Sequence, residues 1–235
     1  MKRALLAVIA LTAILQSSPS NAQNMCFDGM AALAGGCNTT WGCYGGVDLR
    51  ARMGVGDYLY LNADFEGLTS NVFAAGLSAR PKIKFDKGTM YIDAGMLYKL
   101  SGGDGIFDFV SAGSLGWQMK HIEVQLGLYS RTLGSLTRDK HSLEDRIGEP
   151  FNILYRGQLN LKGDDSDWDL WAGASDFTPY EYERHWSPIF FLGGRKDLNE
   201  NLTLFGQAEI KPTGMFHLNA NFYGVVCRVG AYYSF

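Results

Sequence analysis

Long runs of alternating apolar and polar residues dominate this chain from residue 57 onward. Residues 57–66 follow the pattern, and it recurs at 120–131, 151–162 and 202–211. Successive side chains of a β-strand point to opposite faces, so each run predicts a strand with one apolar and one polar side. The chain is therefore predicted to be all-β and antiparallel.

The length of these runs distinguishes a membrane sheet from a water-soluble one. Ordinary strands average about five or six residues, whereas a tilted strand needs about 9–11 residues to cross a bilayer. Aromatic side chains, typical of the girdles of a transmembrane barrel, also lie near the ends of the runs; they are Tyr58, Phe107, Trp117, Phe151 and Trp168. These features predict a closed up-and-down transmembrane β-barrel, which leaves no backbone group unpaired in lipid.

The N-terminus has the layout of a secretory signal peptide. Met1–Arg3 is basic, residues 4–15 are apolar, and Ser20–Ala22 is a small-x-small cleavage signal. The apolar run is shorter than the roughly 20 residues of a spanning helix. We therefore expect a signal peptide over 1–22 and an exported mature chain.

Composition excludes several classes of function. A net charge of −3 argues against a nucleic-acid partner. The sequence has no phosphate-binding glycine loop, no HExxH and no EF-hand pattern. We therefore predict neither a cofactor nor a bound metal.

The C-terminal strand carries a family resemblance. Residues 225–235 alternate, with their apolar face running from Val225 to Tyr233 and Phe235. This strand resembles the closing strand of bacterial outer-membrane barrels. The resemblance implies that Tyr233 and Phe235 are read as a signal by the barrel-assembly machinery. It also implies residence in the outer membrane, in contact with lipid and lipopolysaccharide.

The strand count has two solutions. Ten strands are preferred, near 57–67, 70–81, 89–99, 105–117, 120–131, 149–162, 166–176, 187–197, 201–211 and 225–235. This choice places three long connections, 132–148, 177–186 and 212–224, at one end. It leaves 23–56 as a Cys/Gly-rich segment before a barrel of 57–235, partly inside the lumen or capping an end. The alternative of twelve strands adds 46–53 and 215–222.

The polar face of each run is predicted to line the lumen. Selectivity candidates are Asp64, Glu66, Arg80, Asp93, Glu123, Arg131, Arg156, Glu209 and Arg228. Further charges on the same faces are Lys99, Asp108, Asp167, Asp169 and Lys211. Since both signs occur, these groups either line a pathway for small solutes or cross-link a filled lumen.

The disulfide candidates are Cys26, Cys37, Cys43 and Cys227, an even number in an exported chain. The first three crowd one glycine-rich stretch, so at least one bridge is expected within it.

Three functions remain open. The first is a small pore or a structural envelope protein. The second is a barrel enzyme, either a protease or a lipid A-modifying hydrolase, with His141, His185, His217 and Glu209 as candidates for general base chemistry. Barrel lipid A deacylases carry a His-x-Ser motif near their C-terminal strands. The corresponding segment here, His217-Leu218-Asn219, lacks the serine nucleophile. The third is a surface binding protein or adhesin that uses the aromatic segment 176–186. The absence of a catalytic signature favours the first.

Overall fold

The computed structural model describes residues 25–39, 42–69, 72–101, 105–135, 147–162, 168–176, 188–213 and 221–235. The predicted signal peptide, 1–22, lies outside these residues. Within the described part, no helix is long and apolar enough to cross a membrane.

Twelve antiparallel strands form a closed barrel in which each strand pairs with the next and the last pairs with the first. They are β1 (Met25–Asn38), β2 (Gly42–Val55), β3 (Leu59–Leu68), β4 (Val72–Phe85), β5 (Gly88–Ser101), β6 (Ile106–Gln118), β7 (Ile122–Ser135), β8 (Ile147–Lys162), β9 (Trp168–Ser175), β10 (Ile189–Asp197), β11 (Leu202–Thr213) and β12 (Asn221–Ser234). The predicted fold class is confirmed.

The preference for ten strands is wrong, and the alternative of twelve is right. Both additional strands lie before residue 57, because β1 and β2 belong to the wall and the barrel begins at Met25. The segment 215–222 adds no strand of its own; residues 221 and 222 begin β12, and 214–220 lie outside the described residues. Several glycines interrupt β1 and β2, and since glycine has no side chain to mark a face, their alternation is weak.

The two rims of the barrel differ. The turn rim carries the start of β1, the end of β12 and the tight turns 56–58, 86–87 and 119–121. The loop rim is opposite, and the three long connections begin there, since β7, β9 and β11 all end at that rim. The predicted placement of these connections at one end is confirmed.

The barrel is apolar outside and polar inside. Leu33, Leu126 and Val229 are 70%, 63% and 67% exposed on the outer face, where burial in lipid would remove them from water. Aromatic rings stack near both rims, Phe85 on Trp117 and Tyr98 on Phe107. This arrangement agrees with the aromatic girdles that the sequence predicts.

Candidate functional site in the barrel lumen

A cavity of about 580 Å³ occupies the lumen. Alternation along the strands brings polar side chains from all parts of the wall to its surface. The cations on this surface are Arg50, Arg52, Arg80, Lys82, Arg156, Arg195 and Arg228; the carboxylates are Asp48, Asp64, Asp93, Glu123 and Glu209. Among the described residues, the lining therefore has two more positive than negative groups.

Strand register neutralises part of this charge. Arg50 on β2 faces Asp64 on β3 across one register pair and forms an ion pair with it. Arg195 on β10 faces Asp169 on β9 in the same way, at 2.6 Å. Opposite charges on neighbouring strands thus pair along the wall, and the space in front of them stays open.

Three cations lie on neutral side chains instead, and we call Arg52, Lys82 and Arg156 the lumen cations. The Arg52 and Lys82 cations lie 5.5 and 3.9 Å from the centre of the Tyr60 ring, and Arg52 donates to the Asn62 side chain at 3.2 Å. The Arg156 guanidinium lies 4.8 Å from the centre of the Phe191 ring and donates to Gln158 at 2.7 Å. In the described part of the chain, none of the three forms an ion pair with a carboxylate.

The lumen cations lie on opposite walls. Arg52 is on β2 and Arg156 on β8, and these strands are six positions apart in a ring of twelve. Lys82 on β4 extends the first group, and all three line the same cavity. A solute in the lumen therefore has positive charge on two sides. The aromatic faces restrain the cations at little cost, since an aromatic ring attracts a cation without neutralising it.

A glycine positions another polar contact on the wall. A Cβ on Gly116 would lie 2.0 Å from the Tyr91 ring, so only glycine lets this ring lie flat on β6. In that position Tyr91 is 2% exposed, and its hydroxyl donates to the Glu123 carboxylate at 2.6 Å. This bond holds Glu123 against the wall.

Arg228 on β12 joins three carboxylates, and we call this group the Arg228 hub. Its guanidinium donates to Asp48 and to Glu209, each at 2.7 Å, and lies 3.7 Å from Glu66. To reach Asp48 on β2 it passes over β1, where the buried residues Ala32 and Ala34 leave room. The hub thus connects four strands across the seam where the barrel closes.

A second buried ion pair lies on β6 and β7. Arg131 donates to both carboxylate oxygens of Asp108 at 2.8–3.0 Å. The two side chains are 7% and 2% exposed. Among charged contacts, two-point pairing of this kind is strong and directional.

Solved structures share this architecture. The NanC porin has a TM-score of 0.55 at 13% identity, covering 86% of this chain and 98% of that one. A KdgM porin structure, in complex with disordered oligogalacturonate, has a TM-score of 0.53 at 11% identity and covers 89% and 99%. The fold is that of a bacterial outer-membrane β-barrel. The outer-membrane phospholipase A from Escherichia coli has a TM-score of 0.50 at 11% identity, covering 94% and 96%. No protein-family model and no curated protein sequence matches the chain.

Within this outer-membrane barrel, the predicted selectivity candidates lie on the inner face. Most surround the cavity, Glu66 is beside Arg228, and Arg131 is paired with Asp108. Asp167 lies outside the described residues. Whether any of these groups selects a solute remains a prediction.

The sequence analysis missed five charged residues that line the cavity, which are Asp48, Arg50, Arg52, Lys82 and Arg195. The first three alternate with the apolar residues of 46–53, so the apolar face of that run implied a polar face between them. Lys82 follows the predicted end of its strand by one position, and a longer reading of the alternation finds it. Arg195 lies within the predicted strand 187–197.

The histidines proposed for an outer-membrane barrel enzyme, His141, His185 and His217, lie outside the described residues. Glu209, the acid considered with them, accepts hydrogen bonds from Arg228 and Gln207 at 2.7 Å. The described residues contain no group of three or more histidine, cysteine or acidic side chains arranged to hold a metal.

One disulfide closes the loop-rim end of β1 and β2 in this outer-membrane barrel. Cys37 and Cys43 are register partners and are bonded, which confirms the expected bridge within the glycine-rich stretch. Cys26 and Cys227 are free and exposed. At the other rim, the Tyr233 and Phe235 rings contact edge to face, and the Phe235 backbone N–H donates to the Phe27 carbonyl at 2.9 Å.

Proposed function

We propose that this protein is a pore of the bacterial outer membrane that favours small anionic solutes. Its apolar outer face suits lipid and lipopolysaccharide, and its closing strand, ending at Phe235, suits recognition by the barrel-assembly machinery. The observation that carries the proposal is the placement of Arg52, Lys82 and Arg156. These cations face one cavity from two walls and form no ion pair with a carboxylate among the described residues.

Electrostatics supports a preference for anions. Fixed charges of one sign inside a low-dielectric wall raise the local concentration of counter-ions. Rings of arginine and lysine favour anions in pores by the same means. The ion-paired groups, such as Arg50 with Asp64, add little to this field because their charges cancel over a short distance.

For the solute, we propose small organic acids, and among them acidic saccharides. The KdgM porin has been solved with oligogalacturonate, a polymer of acidic sugars. Aromatic side chains also line this cavity, including Trp171, Phe205 and Tyr232. Their flat faces suit the apolar faces of sugar rings, while the lumen cations suit the carboxylates.

The test is single-channel recording of the refolded protein in a planar bilayer under a KCl gradient. We expect discrete conductance steps and a reversal potential of the sign that indicates anion selectivity. Arg156→Gln should move the reversal potential toward zero. Lys84→Gln is the matched control, because it removes one positive charge outside the cavity, where Lys84 pairs with Asp57 at 2.6 Å.

Two outcomes would count against this function. A conducting barrel with cation selectivity would contradict the role of the lumen cations. A correctly folded barrel that never conducts would favour a structural envelope protein, a role that the buried ion pairs at Arg228 and Arg131 also support.

A further inference from the structure

The loop-rim half of the lumen is filled by buried charge. Six residues form what we call the charged belt, and no residue among them is more than 6% exposed as a whole: Asp48, Glu66, Lys99, Asp108, Arg131 and Lys211. An inward-facing charge in a water-filled channel would be wet. Their burial means that the lumen is occluded at this level.

The belt runs along the wall from β2 to β7 and resumes on β11, and the buried residues Asn152, Ser175 and Ile189 lie on the three strands between. Successive register pairs join Asp48 to Glu66, Glu66 to Ala74, Ala74 to Lys99, and Lys99 to Asp108. The cavity stops here, since of the six belt residues only Asp48 borders it. The lumen is therefore open through the cavity and closed toward the loop rim.

Among the described residues the belt has three cations and three carboxylates, and the Arg228 hub adds one charge of each sign. Burying a charge is costly unless it is paired, so the mixture of signs favours the closed arrangement. Apolar residues of the same volume would close the lumen at least as stably, because ion pairs lose hydration when buried. Charged groups differ in one respect: they are also stable when water enters. A charged closure can therefore open, whereas an apolar one resists hydration.

The Arg228 hub contains the parts that can rearrange. One guanidinium serves three carboxylates, and its contact with Glu66 is long, at 3.7 Å. Glu66 Oε2 and Asp48 Oδ1 are buried, and no donor among the described residues hydrogen-bonds to them. Unused acceptors beside a shared donor allow Arg228 to exchange one carboxylate for another at small cost.

We propose that the charged belt is a gate, closed in this structure, which opens when the carboxylates around Arg228 exchange partners and water enters the belt. The proposal rests on the pore function in that a gate controls passage through the same lumen. The two proposals are measured differently. The residues of the cavity determine ion selectivity, whereas the charged belt determines the fraction of time that the pore is open.

The experiment compares wild type, Arg228→Gln and Lys84→Gln in the same bilayer recordings, with folding verified by heat-modifiable gel mobility. Arg228→Gln leaves three carboxylates without their shared cation and should favour the open state. We expect the ratio of open to closed time to rise on the order of tenfold, the factor by which losing a hydrogen bond to a charged group shifts a two-state equilibrium. Lys84→Gln should match wild type.

Each outcome decides the matter. A wild type that is open throughout, or an Arg228→Gln barrel with the open fraction of wild type, overturns the gate even when anion selectivity holds. A silent wild type with a conducting Arg228→Gln supports the gate and counts against the pore function of the resting protein. If no barrel conducts, both proposals fail. Should Arg228→Gln not fold, Arg228→Lys keeps the charge but loses the multiple contacts, and its open fraction should exceed that of wild type.

Discussion

The Asp108–Arg131 pair allows a quantitative test of how buried charge contributes to this barrel. In Asp108→Asn the side chain keeps its shape, but Arg131 loses the carboxylate that it contacts at two points. Removing one partner of a buried ion pair costs about 3–5 kcal/mol. We expect about 3 kcal/mol, near the lower end of that range, because the asparagine oxygen still accepts one hydrogen bond.

The assay is reversible urea unfolding in phospholipid vesicles, followed by tryptophan fluorescence and extrapolated to zero denaturant. Asp57→Asn is the control, since it removes an exposed ion pair with Lys84 and should lower the free energy of unfolding far less. A double variant, Asp108→Leu with Arg131→Met, should recover most of the loss because neither charge of the pair remains. An Asp108→Asn barrel as stable as wild type would refute the expectation that this buried pair stabilises the barrel.

Three further predictions concern the turn rim and the cysteines. The hydrogen bond and the charge of Lys84 lower the pKa of Asp57 below its usual 3.8. The pair therefore stabilises the fold at pH values above 3.8, and this stabilisation is lost as the pH falls through the lowered pKa. NMR titration should show a higher Asp57 pKa in Lys84→Gln than in wild type. Phe235→Ser should reduce assembly into the outer membrane, measured as the heat-modifiable fraction in cells, and normal insertion would contradict the role of the closing strand. Without reductant, a maleimide should add to two thiols only, Cys26 and Cys227, as seen by intact mass; four additions would mean that the disulfide is absent.

A strand of this barrel can be predicted from the sequence where its side chains define an apolar and a polar face, and cannot where glycines replace them. Residues 120–131 mark both faces at most positions, with a single glycine at Gly127, and the strand was predicted close to its observed bounds, Ile122–Ser135. In β1, Gly35 and Gly36 mark neither face, so the alternation is lost although the backbone pairs normally. The strand count was wrong for this reason.

The lumen was predictable as a set of residues but not as a set of contacts. Alternation alone places Glu66, Glu209 and Arg228 on the inner face. Their meeting depends on register across the seam, where Arg228 and Asp48 are 180 residues apart in sequence. No local pattern encodes such a distance, and the same holds for the closure of the belt.

The seam between β1 and β12 bears on how the chain folds. Asp28 and Ser234, joined by a hydrogen bond at 2.8 Å, are 206 residues apart; the length-dependent entropy of closing such a loop in a flexible chain is about 5 kcal/mol. Neighbouring strands from β1 to β12 can pair locally as hairpins, but the outer edge of β1 has to wait for that of β12. While it waits, the edges of β1 and β12 remain unpaired and prone to aggregate. We therefore expect the newly exported chain to depend on a holding chaperone until both edges meet.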